Sequence, residues 1–373
     1  MANSWNLAEE IITLEILLDP PPTPRRGFGT PLYACASIDP AGTFGAGVKT
    51  YTGPTDVLAD TTLPSDIAAD LLAAFEQEPK VSQIRVAGLS VVEDEYTQVK
   101  TIVPALATQC ARIEAANQDW YVLVLESRGL DTDAINAAVP AARTYLNTLT
   151  KCVLVQHHDK EGSLLDNVAV QTLNLFTLYM QLPDDDIDER YPAAIAWASA
   201  RMAFDIDLVS APWTGRVIGI PASDLTVVEW RALTAKGGNA LRPLGGNAAV
   251  AYPGFTASNQ PIYLKFTIDW LRARVQEDFA TQANVYWDRG EKWPLNEIGL
   301  LTGEAIIDSR VRQGRSGRSP HFNDASPSVG QEITATDRTL KRLRWNVVIQ
   351  TLDGAIRFGI SGVVSSEPIA QEV

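Results

Sequence analysis

Cys152, His157, His158 and Asp159 form the densest group of chemistry-bearing residues in this sequence. A thiol near an imidazole is the pairing that a cysteine nucleophile and its base would need, with a carboxylate to orient the base. Against that reading, Cys152 opens the apolar run Cys152-Val-Leu-Val-Gln156, which predicts a buried strand in which a thiol is simply a small hydrophobe. The adjacent histidines point to opposite faces of an extended segment, so they do not share a metal, and zinc-type Cys/His spacing is absent. Asp184-Asp-Asp-Ile-Asp-Glu189 has the charge to attract Ca²⁺ but lacks the glycine and distal glutamate of an EF-hand loop. The sequence has no P-loop, dinucleotide glycine fingerprint or nucleophile elbow. The expectation is a protein that is not an enzyme, with no catalytic residue, no cofactor and no metal. The competing reading is a soluble α/β hydrolytic enzyme built on Cys152, His157 and His158.

Composition narrows the class further. With 373 residues, 46% hydrophobic and 20% charged, the chain is long enough for two or three domains and is not a disordered polymer. No apolar run reaches the length of a membrane span, and the start Met1-Ala-Asn-Ser-Trp-Asn6 has no leader pattern, so a soluble, cytoplasm-like setting without membrane insertion is expected. Cys35, Cys110 and Cys152 all lie in apolar runs, which predicts buried thiols and no disulfide. The nine tryptophans are scattered and suit core or subunit contacts. The net charge of −14 is uneven: residues 1–200 hold 12 Lys/Arg against 27 Asp/Glu, and the remainder is close to neutral. Basic residues gather at Arg310, Arg312, Arg315 and Arg318, and again at Arg338, Lys341, Arg342 and Arg344. Acidic and basic surfaces on one chain can meet head to tail in a homopolymer, whereas the overall sign disfavours nucleic acid.

The order of elements points to a layered protein. Ile11 to Leu18 alternates as a strand and stops at Pro20-Pro-Pro-Thr-Pro24, a spacer that separates it from the body like an arm. A second β run follows the glycines at 27 and 29. Helices are predicted over 65–78 (capped by Ser65), 97–117, 131–148 (capped by Asp131) and 190–203. They alternate with apolar strands at 84–89, 120–126 and 152–156. Strands that are apolar throughout and separated by helices predict an α/β sheet covered on both faces. Further on, Ile262-Tyr-Leu-Lys-Phe266 reads as a strand, Ile268, Leu271, Val275 and Phe279 as a helix face, and Trp293-Pro294 as the start of another helix. Residues 312–336 read as an exposed loop. At the end, Trp345 to Leu352 and Ala355 to Val364 flank Asp353-Gly354, a strong hairpin signal because both turn positions favour positive φ. Ile356, Phe358, Ile360 and Val364 alternate on one face of the closing strand.

Taken in order, these segments resemble the tail sheath proteins of contractile bacteriophage tails and, more loosely, those of R-type pyocins and other contractile injection systems. The resemblance is carried by Arg26-Gly-Phe-Gly-Thr-Pro-Leu32, Tyr51-Thr-Gly-Pro-Thr-Asp-Val57 and Pro192-Ala-Ala-Ile-Ala-Trp-Ala-Ser-Ala-Arg201. It continues through Leu233 to Asn239, Gly246 to Gly254 and Asp269-Trp-Leu-Arg-Ala-Arg-Val-Gln276, and closes on Asp337-Arg338, Gly354-Ala-Ile-Arg357 and Ile360-Ser-Gly-Val363. Between Leu89 and Trp120, where many relatives carry a β-rich insertion, a single helical stretch is expected.

The resemblance implies an α/β and α+β, two-domain sheath subunit with extended N- and C-terminal strand arms. Its expected parts are an arm at 1–22, an acidic outer domain at 23–220, a tube-proximal domain at 221–354 and a closing strand and arm at 355–373. Ile12, Leu14, Ile16, Leu18, Ile356, Phe358, Ile360 and Val364 would form intersubunit strands. Arg338, Lys341, Arg342 and Arg344 would contact the tube or a neighbour. The implied function is a structural subunit that forms stacked hexameric rings around a tail tube and contracts to drive it through a host envelope. Partners would be the chain itself and the tube, baseplate and tail terminator proteins, in a virion tail assembled in host cytoplasm. A non-contractile tail or baseplate component is the alternative within the same class.

Overall fold

The computed structural model describes residues 12–17, 27–40, 47–96, 99–181, 191–243, 249–316, 319–322, 324–325, 328–339, 342–351 and 354–363. After β1 (Ile12–Leu17), the chain separates into two compact units. One comprises Gly27–Ile206 with Ala211–Lys265. The other comprises Asp207–Ser210 and Phe266 onward, together with β1.

The first unit is built on a nine-stranded sheet. Its strands are β2 (Pro31–Cys35), β3 (Val48–Tyr51) and β4 (Ile84–Gly88), then β7 (Val122–Leu125), β8 (Cys152–His157) and β9 (Leu175–Tyr179), and finally β10 (Gly215–Arg216), β11 (Asn239–Pro243) and β12 (Ala249–Tyr252). A separate antiparallel ribbon pairs β5 (Val91–Glu93) with β6 (Lys100–Ile102). The order across the sheet is β10-β12-β11-β9-β8-β7-β2-β4-β3. From β4 through β2, β7, β8 and β9 to β11 every pairing is parallel. Parallel strands need crossovers and bury both faces, and β2, β7, β8 and β9 are buried at every residue.

Among the described residues this unit carries the helices α1 (Pro54–Ala59), α2 (Ser65–Phe75), α3 (Leu106–Ala116), α4 (Thr132–Thr148), α5 (Ala193–Met202) and α6 (Val227–Ala235). Helices α3 and α4 pack together over Leu123, Leu125, Val153 and Val155, while α2 packs against α5. The Asp131 carboxylate caps α4 by accepting from the Ala134 N–H at 2.7 Å, as the sequence predicts. Ser65, by contrast, is the first helical residue of α2, whose cap position is Pro64.

Two predictions are corrected here. The helix expected over 97–117 begins only at Leu106, and the chain before it makes the β5–β6 ribbon. Pro104 accounts for this, because it bars the residue ahead of it from helical geometry. The second correction concerns Ile262-Tyr-Leu-Lys-Phe266, which is the opening of a long helix and not a strand.

The second unit holds that helix, α7 (Ile262–Asp288), from Phe266 onward, with α8 (Glu297–Gly314) and α9 (Ala335–Thr339). Helix α8 starts after Asn296, whose side chain accepts from the Ile298 and Gly299 amides, so Pro294 precedes the helix and does not open it. Strands β13 (Asp324–Ala325) and β14 (Val329–Gly330) both pair with β15 (Arg342–Thr351), which forms a hairpin with β16 (Gly354–Val363). Residues 312–336, expected as a loop, thus carry the end of α8 and these two short strands. Trp120, Trp197, Trp270 and Trp345 are fully buried, as are all three cysteines. Among the described residues no helix is long and apolar enough to cross a membrane.

Candidate subunit-linking sheet

The closing hairpin is fully paired over ten residue pairs, from Arg342–Val363 to Thr351–Gly354. Strand β1 lies parallel to β16, from Ile12 opposite Phe358 to Leu17 opposite Val363. Both ends of the chain therefore meet in one five-stranded sheet, in the order β1-β16-β15-β13 with β14 also on β15. Because side-chain faces alternate along a strand, the register sorts into rows. Ile12–Phe358–Val347, Leu14–Ile360–Trp345 and Ile16–Gly362–Leu343 occupy one face, and their β15 members Leu343, Trp345 and Val347 are buried. Thr13–Gly359–Asn346 and Glu15–Ser361–Arg344 occupy the other face, where Asn346 is exposed.

Helices α7 and α8 support the buried face. The Trp345 indole donates from Nε1 to the Leu300 carbonyl at 2.9 Å and lies 5.1 Å from the Phe279 ring. Phe279 in turn stacks on Trp293 at 5.5 Å. Gly303 makes the close approach possible: a Cβ there would lie inside the Trp345 indole. On the loop side, the Glu304 carboxylate accepts from the Gly330 N–H at 2.6 Å and Asp308 from the Ser328 N–H at 2.8 Å. These contacts hold β14 against β15 from a helix side chain, not from turn chemistry.

Of the residues expected to link subunits, Ile12, Leu14 and Ile16 lie on β1 and Ile356, Phe358 and Ile360 on β16, all in this chain's own sheet. Leu18 and Val364 lie outside the described residues, as does Lys341. Arg338 sits on α9 and Arg342 opens β15. Arg344 is half-buried and bonded to Asp337 at 2.8 Å; Asp337 also accepts from the Thr334 N–H at 3.0 Å, and the Thr334 hydroxyl caps α9 by accepting from the Asp337 N–H at 3.2 Å. Arg310 is likewise committed, to Asp278, and Arg312 and Arg315 lie on the exposed surface.

The residues weighed as a nucleophilic set do not converge. Cys152 and His157 are the first and last residues of β8, roughly 16 Å apart along an extended strand. His157 is buried edge-on to Tyr179 at 5.8 Å, and burial pulls its imidazole down to about 4. Between pH 4 and 6.5 the folded state thus binds fewer protons than the unfolded chain, so stability present above pH 6.5 is lost as pH falls toward 4. Replacing His157 with Gln is expected to remove up to about 3 kcal/mol of that acid-dependent loss, seen as a flatter plot of urea midpoint against pH. Identical profiles for the two proteins would contradict this. Among the described residues no group of three or more His, Cys, Asp and Glu side chains could hold a metal ion.

The sequence reading missed a buried ionic cluster at the carboxyl ends of β2 and β7. Arg128 forks onto Asp70 and reaches Glu126 at 3.1 Å. The Tyr33 hydroxyl donates to Asp70 at 2.7 Å, and Ser37 donates to Glu126 from both its hydroxyl (2.7 Å) and its amide (2.9 Å). Burial pushes both carboxyls above the ordinary range, with Arg128 pulling the other way. Its members span residues 33 to 128, so no local spacing announces it. The only signal was Glu126-Ser-Arg128 directly after an apolar strand.

No protein-family model and no curated protein matches the sequence. The backbone, however, is similar to that of a sheath tail protein from Listeria innocua, with a TM-score of 0.60 at 10% sequence identity, across 92% of this chain and 97% of that one. It is also similar to the helical sheath of the anti-feeding prophage in its contracted state, with a TM-score of 0.58 at 12% identity, across 95% of this chain and 94% of that one. The chain has the tail sheath fold. At such low identity the likeness resides in the arrangement of elements and not in shared residues.

Proposed function

We propose that this chain is the structural subunit of a contractile tail sheath. It polymerises as stacked hexameric rings around a tail tube and contracts to drive that tube through a host cell envelope. The reading is carried by the likeness in fold, over more than nine-tenths of each chain, to a sheath tail protein and to a sheath in its contracted state. A sheet assembled from both chain ends adds to it, since main-chain pairing at a sheet edge is a general way for one chain to hold another. Subunits linked by strands can reorient as rigid bodies without losing their connections. In this reading the work comes from larger and better-matched interfaces in the contracted state, without hydrolysis or a cofactor. The tube, the baseplate and a tail terminator are the partners, and the virion tail is the site of action, after assembly in host cytoplasm.

Deleting residues 1–22 tests the linkage. The shortened chain is expected to keep a cooperative unfolding transition while long polymers vanish from sedimentation and micrographs. Tubes unchanged in length and yield would refute a linking role for the arm.

A further inference from the structure

Helix α6 and strands β11 and β12 carry a surface with the composition of an interface centre. The Arg242 guanidinium lies 4.9 Å from the Trp230 ring centroid, and the Tyr252 ring lies 5.8 Å from the same indole. Trp, Tyr and Arg are the residue types that dominate binding energy between proteins. Tyr252 is exposed, Trp230 and Arg242 are half-buried, and Val228 is 77% exposed. Trp230 Nε1 and Arg242 Nη1 are buried donors with no acceptor among the described residues. Such groups are rare in a finished structure, because each unmet donor costs about 1–3 kcal/mol. The acidic neighbours Asp224 and Glu229 face Lys160 at 3.5 and 3.8 Å. Arg242 and the exposed Arg231 thus give the patch positive charge beside its aromatic surface.

The same unit carries the chemical complement. The β5–β6 ribbon is a sheet of its own, and its first strand runs on into Asp94-Glu-Tyr96. Val92 to Tyr96 are exposed throughout, Tyr96 at 95%. The ribbon's base is clamped. Gln109 accepts from the Ser90 amide at 2.7 Å and donates to the Ser90 and Pro104 carbonyls at 2.8 and 3.0 Å. The Lys100 N–H donates to the Gly129 carbonyl at 2.8 Å. Asp94 shapes the far end by accepting from the Tyr96 N–H at 2.9 Å. A bare aromatic ring beside three carboxylates is therefore held out on a fixed base, and its own chain leaves it uncovered.

We infer that the ribbon of one subunit docks on the α6 patch of a second copy, with Tyr96 against Trp230 and Tyr252 and the ribbon carboxylates toward Arg231 and Arg242. A second copy is the occupant that the charges favour. Chains of net charge −14 repel one another as wholes, so copies meet where opposite local charges face each other. Ribbon and patch are different surfaces of one compact unit. The contact is thus heterologous, and repetition from copy to copy builds an open helix without closing a pair. This deepens the sheath reading and rests on it for the form of the polymer.

Cross-linking between two single variants of the full chain tests the docking. Tyr96→Cys and Val228→Cys proteins are mixed before assembly; the native cysteines are buried, so a product joining positions 96 and 228 arises only between copies. Every substituted position is exposed in the folded subunit. A short bis-maleimide should give this product in sedimented polymer, and roughly tenfold less of it at about 1 M salt, where charge attraction is screened. Glu93→Lys with Glu95→Lys should raise the concentration needed for polymerisation roughly tenfold, and adding Arg231→Glu should recover part of that loss. Tubes that form without the 96–228 product, or a ribbon-reversed protein that polymerises like the parent, would overturn the docking and leave the sheath reading standing. Cross-linked oligomers that never form tubes would uphold the docking and remove the sheath reading. A chain that stays monomeric and gives no product would overturn both.

Discussion

Trp345→Ala is expected to cost about 3–5 kcal/mol, the largest single loss available in the terminal sheet. Trp345 is 1% exposed, is bonded to the Leu300 carbonyl and fills the space that Gly303 leaves open on α8. Truncation removes a full aromatic side chain from a site whose walls are helices, so little collapse can offset the cavity. It also strips the side chain from the β15 residue paired with Ile360, the β16 residue that pairs in turn with Leu14 of β1. Polymerisation should therefore fail more completely than the stability loss alone would dictate. Urea unfolding measures the first effect and sedimentation the second. A variant that stays within 1 kcal/mol of the parent would contradict the supporting role given to this indole. Gly303→Val, which forces a side chain into the same indole, should be damaging for the converse reason.

Arg128→Met is expected to cost about 3–5 kcal/mol at neutral pH, because it leaves Asp70 and Glu126 buried without their cation. Removal of the guanidinium raises both carboxyls further, and the folded state then holds protons that the unfolded chain releases above about pH 4. Relative to the parent, the variant should therefore lose stability progressively as pH rises from about 4 and be least impaired in acid. Adding Asp70→Asn and Glu126→Gln to the variant should recover part of the loss, since neutral side chains no longer need a counterion. An impairment that is constant from pH 4.5 to 8 would show that Arg128 acts through packing and not through charge.

Features set by neighbouring residues were the ones that sequence could reveal. The β runs flanking Asp353-Gly354 announced the β15–β16 hairpin, although Gly354 opens β16 opposite Thr351 and is not a turn residue, and Asp131 announced the start of α4. The unbroken apolar runs at 122–125 and 152–155 announced parallel strands covered on both faces. Ile262 to Phe266 misled because its β-branched and aromatic content outweighed the helical spacing that continues through Ile268, Leu271, Val275 and Phe279. Residues 239–243 and 249–252 carry only short apolar runs among glycines, yet β11 joins the parallel sheet on β9 and β12 pairs with β11. That placement depends on strands sixty residues away. The partner of β1 was illegible for the same reason: Ile12 and Phe358 stand at opposite ends of the chain, and only the folded unit sets their register.

Electron microscopy of the purified full chain under concentrated, assembly-promoting conditions tests the central claim most directly. The account predicts hollow, striated tubes or stacked rings with helical order, whose repeating subunit carries the two units described above. A protein that stays monomeric and featureless across concentration, salt and pH would contradict it.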